Sequence, residues 1–214
     1  MSRNPVRRPG VRLPGGWSAA LILAIAAMAF MSATPAWSTS LLPVNLPEMV
    51  GAAHRIIVGR AVDEWTGRDE HGLPATITTF VISRSLKGGP LQTVRVKHLG
   101  VTRVQPDGLA VWVDGMPRYR IGGEYVLLLD RDSHLGFTAP VGLMQGVFEV
   151  RPAENGRRAA VNGVNNANLV RDLEPESLQT LGLSAERFPF VSRGRGPMHV
   201  EDLLGMIEQI QAAR

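Results

Sequence analysis

Apolar residues at Leu46, Met49, Val50 and Ala53 recur at helical spacing behind Asn45, a residue type that caps helices well, and they predict a short helix running to about Ala53. The period then changes. Ile56, Ile57 and Val58 form a β-branched run within residues 55–62, broken by Gly59 as at a bulge or a close backbone approach, and predict the first strand. The polar stretch 63–74, which holds Trp65, Gly67, His71 and Gly72, reads as the connection of a long hairpin to a second strand over 76–82. Lys87-Gly88-Gly89-Pro90 ends that strand. Residues 93–99 alternate, which assigns Val94 and Val96 to a buried face and Arg95 and Lys97 to a wet one.

Residues 100–120 mix turn formers with Leu109-Ala110-Val111-Trp112-Val113 and predict a long excursion with room for a short hairpin. Residues 125–129 are apolar on both strand faces and predict the most buried strand. Further strands are expected over 137–141 and 144–151, the latter with Phe148 and Val150 inward and Glu149 and Arg151 outward. Asn155-Gly156 is a turn leading to a short strand at 159–161, and Asn165-Asn166 is another turn. Residues 171–197, with scattered proline and glycine and the run Arg193-Gly194-Arg195-Gly196, read as a linker or surface connection. Over 198–214 an amphipathic helix is expected, with Pro197 at its first position and Val200, Leu203, Leu204, Ile207 and Ile210 as a stripe that packs on the sheet. Five to seven short strands with one helix at each end make a mainly β fold, a small barrel or a sandwich.

Residues 1–38 follow a different pattern. Arg3, Arg7, Arg8 and Arg12 stand without an acid, an apolar run covers 17–31, and the small residues Ala36 and Ser38 precede Thr39. That run of 15 residues falls short of the roughly 20 that span a bilayer, and Pro35 follows it closely. The expectation is a signal peptide cut after Ser38 on the general secretory route, which leaves a secreted or periplasmic product with no stable membrane span. The division that follows is a signal peptide at 1–38, a β-barrel domain at 39–170, a connection at 171–197 and a packed helix at 198–214.

Cleavage changes the charge argument, because the four leader arginines leave with the leader. Of the 23 basic residues 19 remain, against 19 acids, so the mature chain is formally neutral and its basic pI is no argument for nucleic acid. Only Lys87 and Lys97 are lysines, and neither belongs to a basic stripe. With no cysteine, the chain has no disulfide framework, thiolate metal site or cysteine nucleophile, so packing alone must hold it.

Three stretches carry a family resemblance: Ala53-His54-Arg55-Ile56-Ile57-Val58-Gly59-Arg60-Ala61, then Leu86-Lys87-Gly88, then Gly122-Gly123-Glu124-Tyr125-Val126-Leu127. In order and spacing, over roughly residues 45–150, they resemble the netrin-like domain, the OB-type barrel also found in tissue inhibitors of metalloproteinases. The arrangement is also similar to uncharacterised secreted bacterial proteins with a methionine-proline pair, here Met116-Pro117, ahead of the glycine-tyrosine strand. The resemblance implies a small OB-like barrel. Inhibitors of that family chelate zinc through an amino-terminal cysteine held by disulfides, and this chain has neither. Thr39 would offer only its amine and carbonyl, and inhibition by that route is not expected.

Candidate chemistry is sparse. His54, His71, His98, His134 and His199 are dispersed, with no pair at metal-binding helical spacing. His71 beside Asp69 and Glu70 is the nearest approach to a cation site and reads as solvated turn sequence. There is no Gly-x-Ser-x-Gly, and paired acids such as Asp63-Glu64 and Glu201-Asp202 fall in turns or at a helix start. No catalytic, cofactor or metal residue is nominated. Phe80, the one aromatic among basic residues on a strand, reads as core and not as a stacking platform. Trp65 and Trp112, both expected in loops, are the interaction candidates together with Thr39. The leading expectation is a secreted, non-enzymatic domain that binds a protein or small ligand outside the cytoplasm. The alternatives are an exported hydrolase with a Ser/His/Asp site built from distant residues and a metalloprotease-inhibitor-like protein.

Overall fold

The computed structural model describes residues 42–214, so the leader and Thr39 lie outside the described residues. Helix α1 (Leu46–Ala52) starts at Asn45 in a capping box: the Asn45 side chain accepts from the Glu48 N–H at 3.0 Å, and the Glu48 carboxylate accepts from the Asn45 N–H at 3.1 Å. Its far end is closed by Lys87, whose ammonium donates to the carbonyls of Val50 (2.8 Å) and Gly51 (3.3 Å), where the helix dipole favours a cation. The strand-ending lysine of the sequence therefore holds a helix against the sheet.

Strands β1 (Arg55–Arg68), β2 (Pro74–Lys87), β3 (Thr93–Leu99), β4 (Glu124–Leu129), β5 (Val147–Pro152), β6 (Arg158–Asn162) and β7 (Met198–His199) form one antiparallel sheet in the order β3-β2-β1-β4-β5-β6-β7. The fold is thus mainly β, with a few helices. Among the described residues the sheet order is linear and shows no ladder that would close it into a barrel.

β1 and β2 are longer than expected, and the reason is local. A register shift between Ala61 and Asp63 leaves Val62 as a bulge, which reverses the side-chain alternation, so Thr66 faces inward after Ala61 has done so. The polar residues 63–68 are consequently strand, not connection. Their hold on β2 includes a 2.9 Å bond between the Thr66 and Thr76 hydroxyls, with the Thr76 hydroxyl donating to Gly100 O. Gly59 is required for a different reason: a Cβ there would lie 3.0 Å from Val81 O and 3.4 Å from the Phe80 side chain.

Both faces of the sheet are covered. On one, Ile56, Val58, Val126, Leu128, Phe148 and Val150 meet α1 and the last helix; on the other, Ile57, Ala61, Phe80, Val96, Tyr125 and Leu127 enclose a second cluster with Tyr119. Phe80, Tyr119 and Tyr125 stack edge to face there, with ring centroids 4.9 Å (Phe80–Tyr119) and 5.3 Å (Tyr119–Tyr125) apart. Phe80 is core, as expected, and β4 is buried on both faces, as expected.

The expected strand at 137–141 is only partly realised. It makes a single bridge, Leu129 to Pro140, plus bonds from the Asp130 N–H to Ala139 O, from the Val141 N–H to Leu128 O and from the Thr138 N–H to Lys97 O. A 3-10 turn (Leu143–Gly146) then delays β5 to Val147, later than expected. Residues 171–197 do more than connect. They carry helices α2 (Pro175–Thr180) and α3 (Phe190–Arg193), and Leu183, Phe188 and Phe190 are buried in the helix-side core. The terminal helix, α4 (Val200–Ala212), begins three residues after Pro197, because Met198 and His199 pair with β6 instead. All five residues of its predicted stripe are buried.

Candidate functional site

β4 begins at Glu124, where its pairing with β5 ends at Val150, so the last residues of β5, Arg151 and Pro152, extend beyond β4 and pair only with β6. That step in the sheet leaves a cleft of about 420 Å³ lined by Arg60, Arg120, Glu124, Arg151, Arg157 and Arg158, with Gly122, Gly123, Val150, Pro152, Ala153 and Gly156 completing it. The strand alternation explains how arginines so distant in sequence meet. Arg60, Glu124 and Arg158 share the parity of Val58, Val126 and Ala160 and so lie on the helix-bearing face; Arg151 shares the parity of Val147 on the opposite face. They converge because the cleft sits at the strand ends.

The turn that precedes β4 positions the remaining wall. The Gly122 N–H donates to Ala61 O and the Gly123 N–H to Arg120 O; a Cβ at Gly123 would lie 2.8 Å from Arg120 O and 2.9 Å from the Tyr125 hydroxyl. Gly122 has φ +82°, in the region that favours glycine. The Tyr125 hydroxyl accepts from the Arg120 N–H at 2.7 Å. The glycine-glycine-glutamate-tyrosine motif therefore aims Arg120 over the cleft while its tyrosine anchors the turn to the core.

Charge is segregated here although the described residues are formally neutral as a set, the chain's net +4 being carried by the arginines at positions 3, 7, 8 and 12. Glu149 pairs with both Arg120 (3.2 Å) and Arg151, and Glu124 pairs with Arg158 (2.7 Å), which also reaches Glu201 at 3.2 Å. Those contacts hold Arg151 and Arg158 above the ordinary arginine range, chiefly through their bonds to Glu149 and Glu124 respectively. Arg60 donates only to a carbonyl, Gly122 O at 2.5 Å, and Arg157 contacts only the His199 ring at 3.3 Å. Among the described residues neither has a carboxylate partner, so the cleft keeps an excess of positive charge. Guanidinium forks at such a site suit bidentate recognition of phosphate, sulfate or carboxylate.

Two further clefts continue the first. One of about 480 Å³ shares Gly156, Arg157 and Arg158 and adds His199 and Asp202; another, of about 200 Å³, shares Arg151 and adds Arg118, Tyr125 and Glu149. Arg118 lies 4.5 Å from the Trp112 ring centroid, a cation–π contact at the flank of this band. Trp112, half exposed in the 100–120 excursion, is where sequence reasoning put it. Trp65 is not: it sits on β1 opposite Ile77, exposed beside Gly67, and contributes to none of these three clefts. Thr39 lies outside the described residues. The structure therefore does not bring Trp65 and Trp112 together around one of these clefts, and the arginines that do converge were not singled out. The one sequence signal for them was the bias to arginine, with lysine only at positions 87 and 97.

Asp69 and Glu70, read as solvated turn sequence, instead hold a cation of the chain itself, and the Asp69 side chain is buried. Lys97, assigned to a wet face, is buried, with its ammonium 2.9 Å from Asp69, 3.1 Å from Glu70 and 2.9 Å from Leu135 O, and 4.7 Å from the Phe137 ring centroid. Burial works against its charge, yet the bonds to Asp69 and Glu70 outweigh it and hold Lys97 above the ordinary lysine range. Asp69 also accepts from the His71 and Leu73 N–H groups, so it closes the β1–β2 turn and pins Lys97 at once. Lys97→Met is expected to lower the melting temperature by several degrees and to speed amide exchange over residues 130–138, with part of the loss restored by adding Asp69→Asn. Unchanged exchange there would show that Lys97 does not hold the loop.

Among the described residues no group of three or more histidine, aspartate or glutamate side chains is placed to hold a metal, and no helix is long and apolar enough to cross a membrane. Gln145, buried in the 3-10 turn before β5, holds the start of the described chain: its amide donates to Leu42 O at 2.9 Å, and its oxygen accepts from the Val44 N–H at 3.1 Å. The chain matches no protein-family model and no curated protein sequence.

Proposed function

We propose that this is an exported, non-enzymatic binding domain that takes an anionic ligand in its arginine-lined cleft, outside the cytoplasm. The observation that carries the reading is the convergence of five arginines on one cleft at the strand ends, two of them, Arg60 and Arg157, without a carboxylate partner among the described residues. A cleft of this size falls within the range that takes small ligands. The OB-type, netrin-like relationship belongs to the same proposal. Its support is the order β3-β2-β1-β4 together with the 137–141 segment, which bonds to β4 on one side and to β3 through Thr138 on the other. The proposed ligand site lies at the strand ends.

The test is a calorimetric titration of processed protein with inorganic tripolyphosphate. Saturable binding is expected, weakened at least tenfold in the Arg60→Ser/Arg157→Ser double variant at unchanged melting temperature, because neither arginine leaves a carboxylate behind. Absence of saturable binding by the parent protein would refute the reading. Export is tested separately by mass spectrometry of protein collected outside the cytoplasm, where an amino terminus within a few residues of Thr39 is expected and an intact leader would contradict it.

A further inference from the structure

We propose that the natural ligand of this band is an acidic oligosaccharide, a chain of sugars bearing repeated carboxylate, sulfate or phosphate groups. The inference rests on the anion-binding reading above and narrows it by three observations. The first is continuity. The central cleft shares Arg151 with the cleft on one side and Arg157 and Arg158 with the cleft on the other, so guanidinium groups extend well beyond what one small anion can touch. A ligand with regularly repeated charges uses that length, whereas a single phosphate does not.

The second is the lining. Apolar surface in the central cleft is limited to Val150, Pro152 and Ala153, and no aromatic ring lines it. Single-stranded nucleic acid sites combine basic grooves with aromatic platforms on which bases stack, whereas the central cleft has no such ring and Tyr125 in the flanking cleft is only 3% exposed. The third is Glu124, set among the arginines and carrying only acceptor atoms when ionised. Arg158 occupies its Oε1, and the remaining acceptor capacity of the carboxylate favours a ligand that donates hydrogen bonds as well as carrying negative charge. Sugar hydroxyls beside anionic substituents supply both, while a phosphodiester backbone or an inorganic polyphosphate supplies only the charge. Asp202 extends the same preference into the neighbouring cleft.

The experiment is a set of titrations of the full processed chain with galacturonate oligomers of two and six units, a sulfated hexasaccharide, neutral maltohexaose, a thymidine oligonucleotide of matched charge, and tripolyphosphate. The six-unit uronate or the sulfated hexasaccharide should bind at least tenfold more tightly than the two-unit uronate and than the oligonucleotide, and maltohexaose should not bind. Whichever of the two anionic arms is tighter identifies the source of the charge. Glu124→Gln should weaken the saccharide at least fivefold and leave tripolyphosphate as tight or tighter, a split that general damage to the cleft would not produce. If tripolyphosphate binds while neither saccharide exceeds the oligonucleotide, or if length makes no difference, the saccharide assignment falls and the anion site stands. If no anion binds, both fall.

Discussion

Leu204→Asp is expected to destabilise the protein by about 3 kcal/mol or more, a large share of the roughly 5–15 kcal/mol that holds a domain together, because it places a carboxylate or its neutral acid in the apolar helix-side core. Leu204 is 3% exposed and belongs to the helix-side core, where α4 packs against α1 and the sheet. The stripe to which it belongs is buried throughout, and each such side chain contributes about 1.5–3 kcal/mol by leaving water. Glu208→Gln on the exposed face of the same helix loses only its ion pair with Arg84 and should cost at most about 1 kcal/mol. Chemical denaturation of both variants makes the comparison. Wild-type stability in Leu204→Asp would mean that α4 is peripheral to the core.

The second large effect is a loss of stability on mild acidification, traceable to His98. This imidazole is 4% exposed on the inner face of β3, its Nδ1 has no hydrogen-bond partner, and burial depresses its pKa from 6.5 to about 4. The unfolded chain therefore takes up the proton first. His98 contributes nothing adverse above pH 6.5, and stability falls progressively from there to about pH 4, where the folded imidazole protonates as well. The full loss is about 3 kcal/mol at 1.36 kcal/mol per unit. Asp69 and Asp107 are held below their usual value of 3.8, so the stability they contribute is lost below this window, whereas the loss from Glu70, held below its usual 4.5, begins at the acid end of it. Denaturant midpoints between pH 4 and 7 should slope steeply in the parent and much less in His98→Gln. Equal slopes would remove His98 as the cause.

Period and turn chemistry made much of the fold legible. The cap at Asn45, the β-branched run after Arg55, the two-sided apolar run of β4 and the stripe of α4 each depend on neighbours a few residues away, and each is realised. What was missed depends on distant partners. Residues 63–68 have no apolar alternation to advertise a strand, because their inward positions are filled by groups such as Thr66 that find hydroxyl partners across the sheet. Lys97 looks like the wet side of an alternating strand until the turn at Asp69 and Glu70 folds over it. The cleft was hidden for a related reason. Net charge is a sum over the chain and says nothing about segregation, so five arginines divided among residues 60, 120, 151, 157 and 158 cancel against distant acids on paper while standing together in space.

The position of β4 in the sheet also bears on how the chain reaches this state. β1 lies between β2, its hairpin partner, and β4, which pairs Arg55 with Leu129 across a long intervening chain, and the core over that sheet is completed by α4, which follows every strand in the order of synthesis. Such non-local pairing is slow to form, because loop closure must be achieved before the contacts compensate for it. An emerging chain can form the first hairpin early but holds an unfinished hydrophobic surface until its last helix is available. Until then that surface is open to association with other chains, so the interval before the last helix emerges is when misassembly is expected.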